Sequence, residues 1–309
     1  MEILVTFLRL VLLSMVPFVL ASQGMMLGGR TGVFNVAQEG IMLVGASLGF
    51  LVSYLTGFTV VGLLAAMAVG AVFGLALAYF TTTLKMNQFV IGYSLFFIGV
   101  GLSTLLPKIV IGITLSPPLV PTLQDIPIPL LSQIPVLGPI LFRHNVLVYF
   151  AVLLSVGLWY FLFRTQKGLE LRAVGENPMC ADSMGINTVR MRYLTSIAGG
   201  ALMALAGAYL PMVYTGTFTE GMTRGRGWLA IALTFFGGWS PLPILAGSLF
   251  FAGIEVLAFR SQVIGLEVPY QYLLMLPYLA TILVMVLTFR KSRVPGFLGR
   301  NYDRERRGV

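Results

Sequence analysis

Nine stretches of this chain are apolar in the way a bilayer requires, and that repetition limits every other choice of fold. A helix needs about 20 apolar residues to cross the hydrocarbon core. The candidates fall at 3–27, 40–57, 58–80, 89–107, 146–163, 193–214, 229–240, 241–260 and 271–289. Backbone polar groups find no water in lipid, so the expected fold class is an all-α, polytopic transmembrane helical bundle. Charge supports this: only 10% of the 309 residues are charged and 57% are hydrophobic, whereas soluble domains carry about 25% charge. The first apolar run meets no small-residue cleavage site and is not read as a secretory signal. The run at 229–240 is short and ends in "FFGGWSPLP". It is expected to borrow irregular backbone from the Gly-rich segment before it, which membranes tolerate only where protein buries it or it lines a cavity.

A net charge of +9 could suggest nucleic acid, but the cations gather where apolar runs end. That is the orientation signal of a membrane protein, and no nucleic-acid partner is expected. Segments 164–192 and 290–309 carry five and seven Lys/Arg, while 108–145 carries only Lys108 and Arg143. The first two are therefore placed in the cytoplasm, with the C-terminus, and the Pro-rich 108–145 forms an outer loop. Nine crossings then put the N-terminus outside.

A shift of 181 residues lays Glu39 on Glu220, Gly40 on Gly221 and Gly57 on Gly238, with seven identities from Glu39 to Phe80. The span boundaries match better than the residues do. One crossing, 146–163, separates two units of four, so the second unit is inverted. Many transporters build a midplane site from such a repeat. Gly45-x-x-x-Gly49, Gly70-x-x-x-Gly74 and Gly200-x-x-x-Ala204 predict close helix packing.

Charged residues in spans are costly and each demands a reason. Glu39 opens a helix after "GVFNVAQ", and Glu220 precedes "GMTRGRGW". Two readings fit. In one, Glu39 caps its own helix and Glu220 pairs with Arg224 at helical spacing. In the other, both mark discontinuous helices beside a translocation path. Glu255 is expected to pair with Arg260, and His144 to be a solvated loop residue. No carboxylate or histidine relay at the membrane centre suggests proton coupling. G-x-x-x-x-G-K-[ST], G-x-S-x-G and H-E-x-x-H are all missing, so neither an ATPase nor a hydrolase is expected. The single cysteine, Cys180, allows no intramolecular disulfide. No metal site or cofactor is implied.

"GLELRAVGENPMCADSMGI", residues 168–186, is a polar island between spans. Asn177-Pro178 reads as a helix start and Gly185 as a stop. A helix of one or two turns is unstable alone and needs a partner to pack on. This stretch is similar to the cytoplasmic loop of ATP-binding-cassette (ABC) importer permeases of the branched-chain amino acid, ribose and nucleoside class. "NVAQEGIMLVGA" resembles that class's first signature. "GGALMALAGAYL", with "FTEGMTRGRGWLAIALTFFGGWSPL", most resembles the nucleoside (basic-membrane-protein-linked) or simple-sugar subgroup. The similarity runs from about Gly32 to Phe289. Met179-Cys180 departs from the small residues common there.

The resemblance implies a permease subunit of the bacterial or archaeal cell (inner) membrane, passing a nucleoside or related neutral solute, with a simple sugar as the alternative. A secondary transporter or channel working without an ATPase is the other class in view. Implied partners are a cytoplasmic, tandem-cassette ABC ATPase, a sister permease forming a heterodimer, and a substrate-binding lipoprotein or periplasmic protein. Gly175, Glu176, Asn177, Pro178, Ala181, Asp182, Gly185 and Ile186 would couple to the ATPase, and Glu176 to Ile186 would form the coupling helix. Phe34, Asn35, Glu39, Phe218, Glu220 and Trp228 are the expected pathway residues. The chain then divides into a first repeat (1–107), outer loop (108–145), linking span (146–163), coupling loop (164–192), second repeat (193–289) and basic tail (290–309).

Overall fold

The computed structural model describes residues 2–112, 118–129, 132, 134, 137–263, 272, 275, 276, 278, 279, 282, 283, 286 and 294–303. Helix α1 (Glu2–Gly29) is followed by α2 (Gln38–Thr56), α3 (Thr59–Ala78) and α4 (Gln88–Val110). After a two-residue antiparallel pairing of β1 (Ile126–Pro127) with β2 (Arg143–His144), flanking the short α5 (Leu137–Leu141), comes α6 (Val146–Arg164). Two polar helices, α7 (Gln166–Glu176) and α8 (Pro178–Ser183), precede α9 (Thr188–Tyr209), α10 (Arg226–Phe236) and α11 (Pro241–Val263). Single π-helical stretches, Tyr79–Thr83 and Leu210–Thr215, prolong α3 and α9.

Among the described residues, seven helices are long and apolar enough to cross a membrane, and α10 is a shorter apolar helix. The run expected at 229–240 is thus an 11-residue helix entered through turns at 220–225. The ninth expected span, 271–289, lies outside the described residues except at isolated positions.

Two ends of the bundle can be distinguished. At one, the ends of α1, α3 and α6 and the starts of α4 and α9 gather around α7 and α8. Arg192 of α9 reaches Thr31 after α1, and Lys85 after α3 reaches Asp303. At the other, the β1–β2 pairing sits near the start of α1 and the end of α11. Arg9 pairs there with Asp125, and Arg260 donates to the Ile3 carbonyl at 3.0 Å.

Helices α2 and α9 form the buried centre. Their contacts are backbone to backbone, as small residues permit in lipid. A Cβ on Gly45 or Gly207 would overlap the carbonyls of Ala204 and Met42 respectively, and one on Gly70 or Gly74 would strike those of Gly200 and Ser196. The glycine-spaced motifs are therefore helix contacts. Helix α9 packs on α1, α2 and α3, while α1 packs on α9, α10 and α11. Each of these two helices thus lies against members of the opposite set.

Three sequence expectations change here. His144 is fully buried, its Nε2 lying 2.6 Å from the Ile140 carbonyl oxygen, because the β1–β2 pairing folds over it. Arg192, counted with loop cations, lies inside α9 and is 1% exposed. Its guanidinium is spent on the Thr31 carbonyl and on the Phe297 ring, 5.7 Å away. Glu255 pairs with Arg226 rather than Arg260, because α10 begins beside α11.

Candidate functional site

The link between α1 and α2, residues 30–37, is non-helical and largely buried. Gly32, at φ +89°, turns the chain where a side chain would be strained. Phe34 N–H donates to Gln88 Oε1 at 2.7 Å, and Asn35 Oδ1 accepts from Ala37 N–H at 3.0 Å. Asn35 Nδ2 points to Met203 Sδ at 3.4 Å. The link delivers Glu39 into the first turn of α2, 6% exposed.

Glu39 does not cap its own helix; it caps α10. Its Oε1 accepts from Thr223 Oγ1 at 2.5 Å and from Gly225 N–H at 2.9 Å, and its Oε2 from Gly227 N–H at 2.6 Å. The first N–H groups of α10 have no partner within their own helix, and the dipole there favours an anion. Gly227 is necessary to this approach, since a Cβ there would sit 2.6 Å from both the Glu39 Cα and Oε2. One buried charge therefore joins the beginnings of two helices. Both begin inside the bundle: Gly40 lies against Phe96, eight residues into α4, and a Cβ on it would come 2.5 Å from the Phe96 carbonyl oxygen.

Aromatic rings surround this junction. Phe34 meets Phe89 at 5.2 Å and Phe235 at 6.1 Å, and Trp228 meets Phe96 at 5.5 Å and Tyr93 at 6.1 Å between centroids. Phe89, Tyr93 and Phe96 recur at helical spacing on α4, and the first two are exposed. Phe218 lies apart, against Phe50 at 6.2 Å. Glu220 is paired with Lys108 at 2.8 Å and more than half exposed, so its expected pairing with Arg224 is not realised. The reason is local: residues 220–225 form turns, so Glu220 and Arg224 share no helix face.

At the opposite focus, Asn177 caps α8 by accepting from Cys180 N–H at 3.1 Å, with Pro178 as first helical residue. Gly185, at φ +81°, ends the turn as read. The helix itself is shorter than Glu176 to Ile186: Glu176 closes α7, and Gly185 and Ile186 lie beyond α8. Pro178 and Ala181 are buried, while Met179, Cys180 and Met184 face outward. Gly175 abuts the Arg30 backbone so closely that a Cβ would overlap its carbonyl, and Gly175 belongs to the end of α7. Burial lowers the Arg30 pKa, and neighbouring Arg172 lowers it further against the pull of Glu176. The Arg30 side chain donates to the Trp239 carbonyl at 2.7 Å. Asp182 accepts from Tyr302 Oη at 3.1 Å.

Sequence reading missed Gln88, Arg192, Thr223, Gly225 and Gly227. Gln88 had a legible signal, a polar residue opening an apolar span. The others depend on contacts between residues more than 150 positions apart.

A polytopic helical bundle with interrupted helices meeting in its interior, and a short elbow at one end, is the architecture expected of an integral membrane transport protein. The chain belongs to the family described as branched-chain amino acid transport system / permease component, whose model matches residues 7–286. It is 33% identical to TsgC13 of Haloferax volcanii, named for glucose ABC transport as a permease, over 93% of this chain and 94% of that one. It is 32% identical to the guanosine ABC transporter permease protein NupQ of Bacillus subtilis, over 92% and 89%. It is 38% identical to the nucleoside ABC transporter permease protein NupC of Lactococcus lactis, over 57% and 56%. No solved structure matches the chain. The protein is a transmembrane permease subunit of an ABC importer, a class that works with an ATPase and a substrate-binding protein and leaves ATP hydrolysis to the former.

Proposed function

We propose that this subunit and a sister permease, as a heterodimer, form the path of a nucleoside importer driven by a tandem-cassette ATPase. The observation that carries this is the junction at Glu39, where a buried carboxylate takes three donors at the entry of α10, next to Trp228 and the Tyr93 and Phe96 rings that meet it, with Phe34 in the link leading to it. With its charge spent inside the protein, the junction offers faces rather than ionic contacts to a solute. A neutral base can stack on such rings, at about 1–3 kcal/mol each in other base-binding proteins. Relatives named for guanosine and nucleoside transport agree with that chemistry. A relative named for glucose transport keeps a sugar as the second reading.

The two sets of helices read as inverted repeats. The shift of 181 lays α1 over 183–210 and α3 over 240–259, close to α9 and α11, and α1 and α9 exchange partners accordingly. Gly57 and Gly238, superposed by the same shift, both have positive φ, just beyond α2 and α10. The end bearing α8 is the cytoplasmic one, since Arg30, Lys85, Arg164, Lys167, Arg172, Arg190, Arg192 and Arg300 collect there. The C-terminal tail follows it to that side. Helix α8 is then the elbow that enters the ATPase, with Met179 and Met184 as deformable apolar contacts.

Uptake of radiolabelled guanosine and of glucose by proteoliposomes holding the reconstituted complex tests the reading. Guanosine uptake that requires ATP and the binding protein is expected. Uptake by this subunit alone down an ion gradient would refute the ABC-driven mechanism, and glucose without guanosine uptake would move the assignment to sugars.

A further inference from the structure

The C-terminal tail, residues 294–303, is bonded to α4, α7, α8 and α9, to the α1–α2 link and to the turn after α3. Phe297 N–H donates to the Gly175 carbonyl at 2.9 Å and Gly296 N–H to Glu176 Oε2 at 3.2 Å, both at the end of α7. Gly299 N–H donates to the Gly32 carbonyl at 3.1 Å, in the α1–α2 link. The Arg300 carbonyl accepts from Gln88 Nε2 at 3.3 Å and from the Arg192 guanidinium at 3.4 Å. Asn301 Nδ2 donates to the Lys85 and Met86 carbonyls at 2.6 and 2.8 Å, and its Oδ1 accepts from Gln88 at 3.3 Å. Tyr302 reaches Asp182 of α8, and Asp303 pairs with Lys85 at 2.7 Å.

Two features exceed what anchoring a chain end needs. First, fixing this backbone costs conformational entropy, yet the tail spends its bonds on parts of the protein that a transport cycle has to move. Second, Gln88 faces both ways. Its Nε2 is held by the tail, and its Oε1 holds Phe34 N–H at 2.7 Å, in the link that carries Phe34 and Asn35. Hydrogen bonds therefore run from Asp182 to Tyr302 and, one peptide bond back along the tail, from Asn301 through Gln88 to Phe34. The direct contact of α7 with the link, Gly175 against Arg30, lies at the other end of the link and bypasses Phe34.

We propose that residues 294–303 are a strap that transmits displacement of the α8 elbow to the Phe34 segment, with Tyr302, Asn301 and Gln88 as its positioning residues. This rests on the reading of α8 as the ATPase-facing elbow. A chain of bonds is not by itself evidence of coupling, which has to be measured. Tyr302→Phe removes the hydroxyl that holds Asp182. Gln88→Glu keeps an acceptor for Phe34 N–H and removes the donor to the tail. If Gln88→Glu does not assemble, Asn301→Ala takes its place.

The measurement is substrate delivered per ATP hydrolysed by the reconstituted complex, a ratio that a simple loss of assembled protein leaves unchanged. Each single variant is expected to lower it about fivefold, the equivalent of one net hydrogen bond. The double variant should fall no further than the worse single one, because both cut the same relay. An unchanged ratio in Tyr302→Phe, or losses that multiply in the double variant, overturns the strap. A parallel complex with residues 178–183 replaced by a Gly/Ser linker separates the two readings. ATP-driven uptake surviving there refutes the elbow, whereas its loss beside an unaffected Tyr302→Phe refutes only the strap.

Discussion

Glu39 shows how one side chain can hold a break in a membrane helix in place. Its two oxygens accept a hydroxyl and two backbone N–H groups from the entry and first turn of α10, so the carboxylate is buried with both oxygens hydrogen-bonded. Glu39→Gln would turn an amide NH2 toward at least one of those donors. Hydrogen bonds to a charged group contribute about 1.5–3 kcal/mol, and a loss of that order is expected in unfolding of the detergent-solubilised complex, together with impaired uptake. Unaltered stability would mean the α10 terminus is held by something else. His144 makes a prediction of the opposite electrostatic kind. Burial is the main cause that lowers its pKa from the ordinary 6.5; nearby Arg9 adds to this, while the Ile140 carbonyl and Asp125 oppose. Its Nδ1 has no partner among the described residues, so a second ring proton would be buried without an acceptor. The unfolded chain then binds the proton first as pH falls. Stability from this residue is full above 6.5 and declines from there toward the lowered folded value. Melting temperatures between pH 7.5 and 5.5 should drop less steeply in His144→Gln than in the native protein, and parallel slopes would contradict the assignment.

Glycines let the helices approach until backbones touch, and this makes packing testable element by element. Gly207 of α9 has the Met42 carbonyl where a Cβ would go, so Gly207→Ala must push α2 and α9 apart. Overpacking costs of about 1–3 kcal/mol are expected, seen as lower yield and melting temperature of the purified complex. Gly157 of α6 has open space instead, with nothing within 4 Å of the place a Cβ would take. There Gly→Ala should stabilise by up to about 1 kcal/mol through helix propensity, which makes it the control. The small-xxx-small spacings made the contacts of Gly45, Gly70, Gly74 and Gly200 legible in the sequence, though not that of Gly207, as apolar run length did for the seven described spans and Asn177-Pro178 with Gly185 did for α8. The break before α10 was legible too, because "TEGMTRGRG" cannot continue a helix in lipid. What could not be read was the partner of each charge. Glu39 at the start of a helix suggests self-capping to any local rule, and only the tertiary approach of Gly225 and Gly227 redirects it. Glu255 differs from its expected pairing for the same reason, whereas Glu220 differs because 220–225 form turns rather than helix, and His144 because the β1–β2 pairing folds over it.

For the whole molecule, the placing of rings relative to lipid decides whether the proposed path exists. On α4, Tyr93 shares a side with Trp228 and Phe34's neighbour Phe89, while Ile98 is five residues on, about 140° around the helix. Both are near half exposed in the isolated subunit, at 46% and 50%, so exposure alone cannot separate lipid from path. If the sister permease completes a path over the aromatic side, Tyr93 borders water during part of the cycle and Ile98 faces hydrocarbon or protein throughout. Cys180 is the protein's only cysteine and is exposed, so Cys180→Ser gives a silent background. In that background a membrane-impermeant thiol reagent should label Tyr93→Cys in the assembled transporter. On the proposed coupling, trapping the ATPase with ATP should change the labelling rate, because closure of its nucleotide sites would move α8 and with it the link bearing Phe34. Ile98→Cys should stay unreactive in both states. Equal labelling of the two positions, or a Tyr93→Cys rate indifferent to ATP, would place the path elsewhere on the bundle, and the aromatic junction would then be a structural seam between interrupted helices.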